Sequence, residues 1–120
     1  MTQLELAKLN RASSEMRYIA RQENIPLATL KKRIKEGRIV LIKNSKRKIR
    51  PCAVGQGLRT KINANLGTSQ DKAQIRTELK KLRVAIRSGA DTVMDLSTGG
   101  DMKKVLRMIL KNSSVISSCI

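Results

Sequence analysis

Two asparagine side chains, separated by one alanine, are the first groups in this sequence that could bind a small molecule. Asn63, Ala64 and Asn65 close a run of alternating residues that stops at Gly67. Because successive residues of a strand point to opposite faces, Asn63 and Asn65 would share one side of it. Each asparagine offers a carbonyl acceptor and an amide donor pair, which suits the neutral heteroatoms of a small ligand. The alternative is that both side chains only satisfy backbone groups at a strand end.

The elements that would position these asparagines form a strand–helix–strand unit. A strand predicted over 60–66 leads into a helix, and a second strand is predicted over 91–97. Thr68 or Ser69 could cap the helix, and Gly89 would end it in the left-handed conformation. The helix carries one apolar stripe, formed by Ile75, Leu79, Leu82 and Ile86. Such a βαβ unit is parallel and right-handed, so the loops after both strands open on the same edge of the sheet.

The second strand supplies further candidate pocket residues at that edge. Asp95 and Ser97 follow Met94 where the strand ends. Asp95 could act as an acid or as a ligand contact. A buried, hydrogen-bonded structural role is the alternative for this carboxylate.

A pair of glycines follows the second strand and precedes a helix predicted over 102–112. Glycines at the start of a helix let backbone N–H groups approach an anion, so Gly99 and Gly100 could line a phosphate site. Asp101 could instead cap the helix with its own carboxylate. That cap would occupy the same N–H groups and repel an anion, and the sequence favours it over the phosphate site.

Two uninterrupted segments of the sequence are distinctive: GLRTKINANLGTS over 57–69 and KLRVAIRSGADTVMDLSTGGD over 81–101. Both resemble the phosphomethylpyrimidine synthase family, the ThiC family of thiamine biosynthesis. The resemblance implies that the complete protein folds as a (β/α)8 barrel. It also implies a radical lyase that converts aminoimidazole ribotide into hydroxymethylpyrimidine phosphate. The cofactors that it implies for this reaction are S-adenosylmethionine and a 4Fe–4S cluster. By position, it implies that Asn65 and Met94 contact the substrate. It also implies a zinc or iron ion at a second site and a homodimer for the full-length enzyme.

The length of the chain limits how much of such a barrel it can form. With 120 residues it is about half as long as a full barrel needs. The predicted fold class is therefore α/β: a small helical α+β amino-terminal region over 1–57, then the first two β/α units of an incomplete barrel over 58–120. The first region is expected to contain helices over 2–9, 14–23 and 26–36, a strand over 38–43 and a polar connection over 44–57. Ser13 or Ser14 could cap the second of these helices.

The last residues, SVISSCI, depart from the family pattern, which continues into a strand with a Pro-Ile-Tyr segment. The sequence therefore reads as a fragment that lacks catalytic residues. It would leave strand edges and apolar helix faces uncovered unless a partner completes the sheet.

The net charge of +17, from 26 Lys and Arg against 9 Asp and Glu, raises an alternative function. The densest basic cluster consists of Lys43, Lys46, Arg47, Lys48 and Arg50, which could follow a phosphate backbone without reading bases. Aromatic residues make up only 1% of the chain, so there is almost no surface for base stacking. A small basic nucleic-acid-binding protein stays the alternative, and nucleic acid is not the expected main partner.

Metal chemistry finds little support in the residues of this chain. There is no histidine, and Cys52 and Cys119 form no C-x2-C pair. A 4Fe–4S cluster with one open iron needs three cysteine thiolates, so neither this cluster nor S-adenosylmethionine nor a second metal ion is expected to bind this chain. In the family, the cluster-binding cysteines lie near the carboxyl terminus. The two cysteines present are expected to be free thiols.

No apolar run reaches the roughly 20 residues that a membrane-spanning helix needs. The Met1 end also lacks a basic region followed by an apolar block. These features predict a cytoplasmic protein without a membrane partner.

Overall fold

A computed structural model describes residues 1–71 and 73–119. The chain divides into two compact units, Met1–Thr60 and Lys61–Ile120. The sequence predicts a domain boundary between residues 57 and 58, and that boundary stays a prediction. Each unit is mixed α/β, and residues 1–71 and 73–119 do not form a full barrel.

The first unit contains three helices and a two-stranded antiparallel sheet. In chain order these are α1 Gln3–Lys8, α2 Ser14–Gln22, α3 Leu27–Lys35, β1 Ile39–Ile42 and β2 Cys52–Gly55. The predicted cap of α2 is confirmed, since Ser13 Oγ accepts a hydrogen bond from the Met16 N–H at 3.0 Å. The core consists of Ala7, Met16, Ile19, Ala20, Leu30, Ile34, Ile39, Leu41 and Ala53.

Strand β2 corrects the polar connection that the sequence predicts over 44–57. Its register with β1 places Leu41 opposite Ala53, and both side chains are buried in the core. A strand of four residues that follows Pro51 carries little local signal. Its stability comes from hydrogen bonds to β1 and from burial of Ala53, which are contacts with distant residues.

An ion pair in this unit makes its stability depend on pH. Lys43 Nζ contacts Glu15 Oε1, and the Glu15 side chain is only 13% exposed. The hydrogen bond from Lys43 lowers the pKa of Glu15 from 4.5 to about 2. Because the pKa is lower in the folded state, the stabilisation is fully present above pH 4.5 and is lost as the pH falls through about 2.

Glu15→Gln is expected to reduce the free energy of unfolding at pH 7 by about 1 kcal/mol, after allowance for solvent screening at the partly exposed Lys43. Urea unfolding at pH 7 and at pH 2 measures this loss. The difference in free energy of unfolding between the unsubstituted chain and the Glu15→Gln variant should be smaller at pH 2. Glu36→Gln is the matched control, since Glu36 pairs with Arg38 at the surface at 3.3 Å. An equal loss from Glu15→Gln at both pH values would contradict the prediction.

The second unit is built on a three-stranded parallel sheet. In chain order its elements are β3 Asn63–Leu66, α4 Ile75–Arg87, β4 Thr92–Asp95, α5 Met102–Asn112 and β5 Ile116–Cys119. The strand order is β3–β4–β5. The predicted parallel βαβ unit is confirmed. The sequence did not predict β5, which pairs with β4 and covers an edge expected to be open.

Helices α4 and α5 pack on one face of this sheet. The core there consists of Leu66, Leu82, Val93, Val105, Ile109 and Val115. The predicted apolar stripe of α4 is confirmed, with Leu82 fully buried and Ile75, Leu79 and Ile86 packed against the core. Gly89 has φ +92°, the left-handed conformation expected after the helix.

The predicted cap of α4 is wrong. The helix begins at Ile75, and its N-cap Gln74 makes no side-chain cap hydrogen bond. Thr68 lies well before the helix, where its buried hydroxyl donates to the Gly99 carbonyl at 2.6 Å. The threonine therefore stabilises the contact between two loops instead of the start of a helix.

Within the described ranges, no helix is both long and apolar enough to cross a membrane.

Candidate functional site

Asn65 and Met94 lie side by side on the parallel sheet. They are register partners on β3 and β4, as are Asn63 and Thr92 two residues earlier. Residues opposite one another in parallel strands point to the same face, so all four side chains share one face. This is the opposite face from Leu66 and Val93, which pack against the helices. The two strands are parallel neighbours, as the predicted βαβ unit requires, and the assignment of Asn65 and Met94 to a substrate site stays a prediction.

The face of the sheet that carries Asn63, Asn65, Thr92 and Met94 is called the polar face. Asn63 and Asn65 are exposed, while Thr92 and Met94 are half-buried. The Thr92 hydroxyl donates to Asn63 Oδ1 at 2.8 Å, and Asn63 Nδ2 donates to Asn65 Oδ1 at 2.9 Å. Sequence reasoning missed Thr92, whose contact depends on the pairing of two strands. The face thus combines fixed amide groups with the polarizable side chain of Met94, a surface suited to a small polar ring.

Asp95 lies on the opposite face of the sheet from Met94, and it is buried. Its Oδ1 accepts from the Ser97 N–H at 3.0 Å and from the Ser97 hydroxyl at 2.5 Å. The Ser97 oxygen in turn accepts from the Thr68 N–H at 3.2 Å. This is the hydrogen-bonded structural arrangement that the sequence left open for Asp95. Ser97 thereby joins the loops after β3 and β4, and Asp95 holds Ser97 in place.

A second buried carboxylate joins the first loop to α4. Glu78 is 3% exposed, and its Oε2 accepts from the Gly67 N–H at 2.7 Å. Its other oxygen accepts from Lys81 Nζ at 2.7 Å. Glu78 was not among the residues predicted from the sequence, although its spacing of four from Leu82 places it on the buried side of the helix. The loop at the end of β3 is therefore held from the helix as well as from the neighbouring loop.

The glycine pair after β4 has a structural use in this arrangement. Gly99 is buried, and a Cβ atom added to it would lie 2.4 Å from the backbone oxygen of Ser69. Asp101 Oδ1 accepts from the Lys104 N–H at 3.0 Å, so the predicted cap of α5 is confirmed. This carboxylate already occupies the first turn of the helix, which disfavours an anion there.

The densest basic segment, 43–50, forms a loop in the first unit. Asn44 Oδ1 accepts from the backbone N–H groups of Lys46 and Arg47, both at 2.9 Å, and fixes the turn. The loop borders a shallow cavity of about 600 Å³ together with Glu15 and Tyr18. Since Tyr18 is the single aromatic residue of the sequence, recognition of stacked bases has no support here.

Binding of this loop to nucleic acid is expected to be weak and electrostatic. Raising the salt concentration should abolish it, because counterion release is its main source of free energy. Fluorescence anisotropy with duplex DNA and with RNA measures this for the chain and for a variant with Lys46, Arg47 and Lys48 replaced by glutamine. A sequence preference that persists at about 200 mM salt and disappears in the variant would support the alternative function instead.

The described part of the chain offers no matching ligand set for a cluster or a metal ion. Among residues 1–71 and 73–119, no group of three or more His, Cys, Asp or Glu side chains could hold a metal ion. The full sequence contains two cysteines and no histidine, and Cys52 is a buried thiol on β2. Because a cluster with an open iron needs three thiolates, these residues do not fit it. No reaction step through the cluster therefore follows from them.

Three known proteins with related sequences are phosphomethylpyrimidine synthases. The sequence is 50% identical over 115 residues to a phosphomethylpyrimidine synthase of Thermodesulfovibrio yellowstonii. The aligned segment covers 96% of this chain and 27% of that protein. It is 45% identical to the synthase of Moorella thermoacetica, over 94% of this chain and 26% of that protein. It is 44% identical to the synthase of Methanococcus vannielii, over 96% of this chain and 27% of that protein.

The chain thus spans about a quarter of the length of the curated relatives it matches. Residues 2–120 match the radical SAM ThiC family. The resemblance carried by 57–69 and 81–101 is thereby confirmed. With a match that extends over almost every residue, this chain belongs to the radical SAM ThiC family.

Proposed function

We propose that this chain is a segment of a phosphomethylpyrimidine synthase and supplies one wall of its substrate site. The complete enzyme would convert aminoimidazole ribotide into hydroxymethylpyrimidine phosphate in thiamine biosynthesis, by radical chemistry with S-adenosylmethionine. The parallel unit from β3 to β5 would form consecutive strands of a (β/α)8 barrel. The full-length enzyme would be a homodimer.

One observation carries the proposal: Asn65 and Met94 are register partners on neighbouring parallel strands. They lie on the sheet face opposite the two packed helices. In a β/α barrel the helices cover the outside, and the other face of each strand points into the barrel. This arrangement supports a common site for Asn65 and Met94 near the carboxyl ends of their strands, where barrel enzymes bind their substrates.

In this proposal each residue has a separate role. Asn65 would hydrogen-bond a polar group of the ribotide, and Met94 would form an apolar wall against its ring. Asn63 would contact Asn65, and Thr92 would contact Asn63, as their hydrogen bonds indicate. Asp95 and Ser97 would keep the loop after β4 in place. Asp95 has no role in proton transfer in this proposal, because its carboxylate is buried on the opposite face of the sheet from Asn65 and Met94.

The cluster, S-adenosylmethionine and the second metal ion would be held by residues outside this chain. When bound, the cluster would supply the electron that cleaves S-adenosylmethionine. The chain by itself would be inactive.

A chimeric synthase tests the proposal. In it, this chain replaces the matching 115 residues of the Thermodesulfovibrio yellowstonii relative. After anaerobic reconstitution with iron and sulfide, the chimera is expected to bind the ribotide and to form hydroxymethylpyrimidine phosphate. The isolated chain, treated in the same way, is expected to form neither 5′-deoxyadenosine nor the broad absorbance at roughly 400 nm typical of such clusters.

Two results would contradict the proposal. One is cluster assembly with S-adenosylmethionine cleavage by the isolated chain. The other is a folded chimera that carries its cluster and does not bind the ribotide, while the parent relative does.

A further inference from the structure

The hydrogen bonds between Thr92, Asn63 and Asn65 run in one direction. We propose that Thr92 and Asn63 orient the Asn65 amide as a hydrogen-bond donor, so that the ligand atom it contacts is an acceptor. This inference rests on the proposed function, in which Asn65 contacts the ribotide. Thr92 and Asn63 are then positioning residues that act through Asn65.

The direction is set where Thr92 meets the carbonyl oxygen of the Asn63 amide, which can only accept, so the Thr92 hydroxyl must use its one proton there. That proton is donated to Asn63 Oδ1 at 2.8 Å, so the carbonyl end of the Asn63 amide faces Thr92. The amide is planar, and its other end must then face away from Thr92. Its Nδ2 indeed donates to Asn65 Oδ1 at 2.9 Å. The orientation of the first group thereby sets that of the second.

The contact with Asn63 also sets the orientation of the planar Asn65 amide. Its carbonyl oxygen faces Asn63 and accepts a hydrogen bond from it. Its Nδ2 group donates to no residue within 1–71 and 73–119. Asn65 is exposed on the polar face, next to its register partner Met94. Two N–H donors are therefore presented to a ligand beside the Met94 side chain.

This orientation selects the kind of atom that can lie against Asn65. An oxygen of a phosphate or of a ribose hydroxyl fits, as does an unprotonated ring nitrogen, because each offers a lone pair. An exocyclic amino group, which only donates, does not fit. The ribotide carries both kinds of group, so the orientation determines which part of it reaches Asn65.

Nuclear magnetic resonance of the side-chain amides tests the orientation in the ligand-free chain. One Asn63 Nδ2 proton is expected to be shifted downfield and to exchange more slowly with water than the Asn65 Nδ2 protons. Thr92→Val, which keeps the shape and removes the hydroxyl, should abolish this difference, and Thr92→Ser should retain it. A slowed Asn65 proton, or an Asn63 signal unchanged by Thr92→Val, would overturn the proposal.

Ribotide binding to the chimeric synthase tests the consequence. Thr92→Val is expected to raise the Kd about five- to tenfold, and less than twofold when Asn65 is already alanine, because Thr92 acts only through Asn65. Thr92→Ser should restore the original Kd. Equal losses in both backgrounds would show a merely structural role and refute the inference.

Asn65→Asp gives an independent outcome, since aspartate has no donor at this position. Its Kd should rise more than about 150-fold, beyond the range expected for Asn65→Ala, because the ligand acceptor would face a carboxylate oxygen. Equal ribotide affinity of the Asn65→Asp variant and the unsubstituted chimera would mean that the ligand atom is a donor and would overturn the proposal. Lack of ribotide binding by the unsubstituted chimera would contradict the proposed function, and the resonance experiment would still decide the orientation.

Discussion

Replacing Asn65 with alanine is expected to weaken ribotide binding to the chimeric synthase by about 1–3 kcal/mol. The loss is this large because a polar group of the bound ligand would be buried without its hydrogen-bond partner. It corresponds to a Kd increase of roughly five- to 150-fold. Isothermal titration calorimetry measures it, and the unfolding temperature should be unchanged because Asn65 is exposed on the sheet.

Met94→Leu is the matched control for this experiment. Leucine keeps the apolar volume next to Asn65, so the expected cost in binding is below about 1.5 kcal/mol. The two variants separate a specific hydrogen bond from general disruption of the strand pair. Equal affinity of the Asn65→Ala variant and the unsubstituted chimera would remove Asn65 from the site, and a larger loss from Met94→Leu would reverse the assigned roles.

Gly99→Ala is expected to destabilise the second unit by about 3 kcal/mol, at the upper end of overpacking costs. The new Cβ would lie 2.4 Å from the Ser69 carbonyl oxygen and 2.7 Å from the Gln70 nitrogen. Both are backbone atoms, so the collision cannot be relieved by a side-chain rotation. The loops would have to separate, and the hydrogen bond from Thr68 to the Gly99 carbonyl would be lost.

Gly89→Ala tests whether space or backbone conformation causes the loss. Nothing lies within 4 Å of a Cβ at Gly89, but its φ of +92° is unfavourable for alanine. The expected cost of that conformation is about 1 kcal/mol. Urea unfolding of both variants gives the comparison, and a Gly99→Ala loss no larger than that of Gly89→Ala would show that the two loops are not tightly packed.

Local sequence patterns were sufficient to predict where most of the helices lie. The caps by Ser13 and Asp101 and the apolar stripe of α4 each depend on residues within about one or two turns of the helix, so they can be read from neighbouring letters. The parallel βαβ unit also followed from order and spacing, since a strand, a helix and a strand allow few connections. The family followed from two uninterrupted segments, 57–69 and 81–101.

The candidate site was predictable to a smaller extent. Alternation along a strand placed Asn63 and Asn65 on one face, and the resemblance added Met94. The same alternation separates Asp95 from Met94, so its position on the helix-covered face could have been inferred from the strand alone. The pairing of Asn65 with Met94 and of Asn63 with Thr92 required the register between the strands.

The sequence by itself therefore determined the family, the helices and the residues that share a face. Only the tertiary structure decided the short strands β2 and β5, the burial of Glu78 and the hydrogen bonds that join Thr92 to Asn65. The physical reason is the same for all of these features. A strand of four residues is stabilised by partners far away in the sequence, and hydrogen bonds between strands or loops exist only after those partners have met.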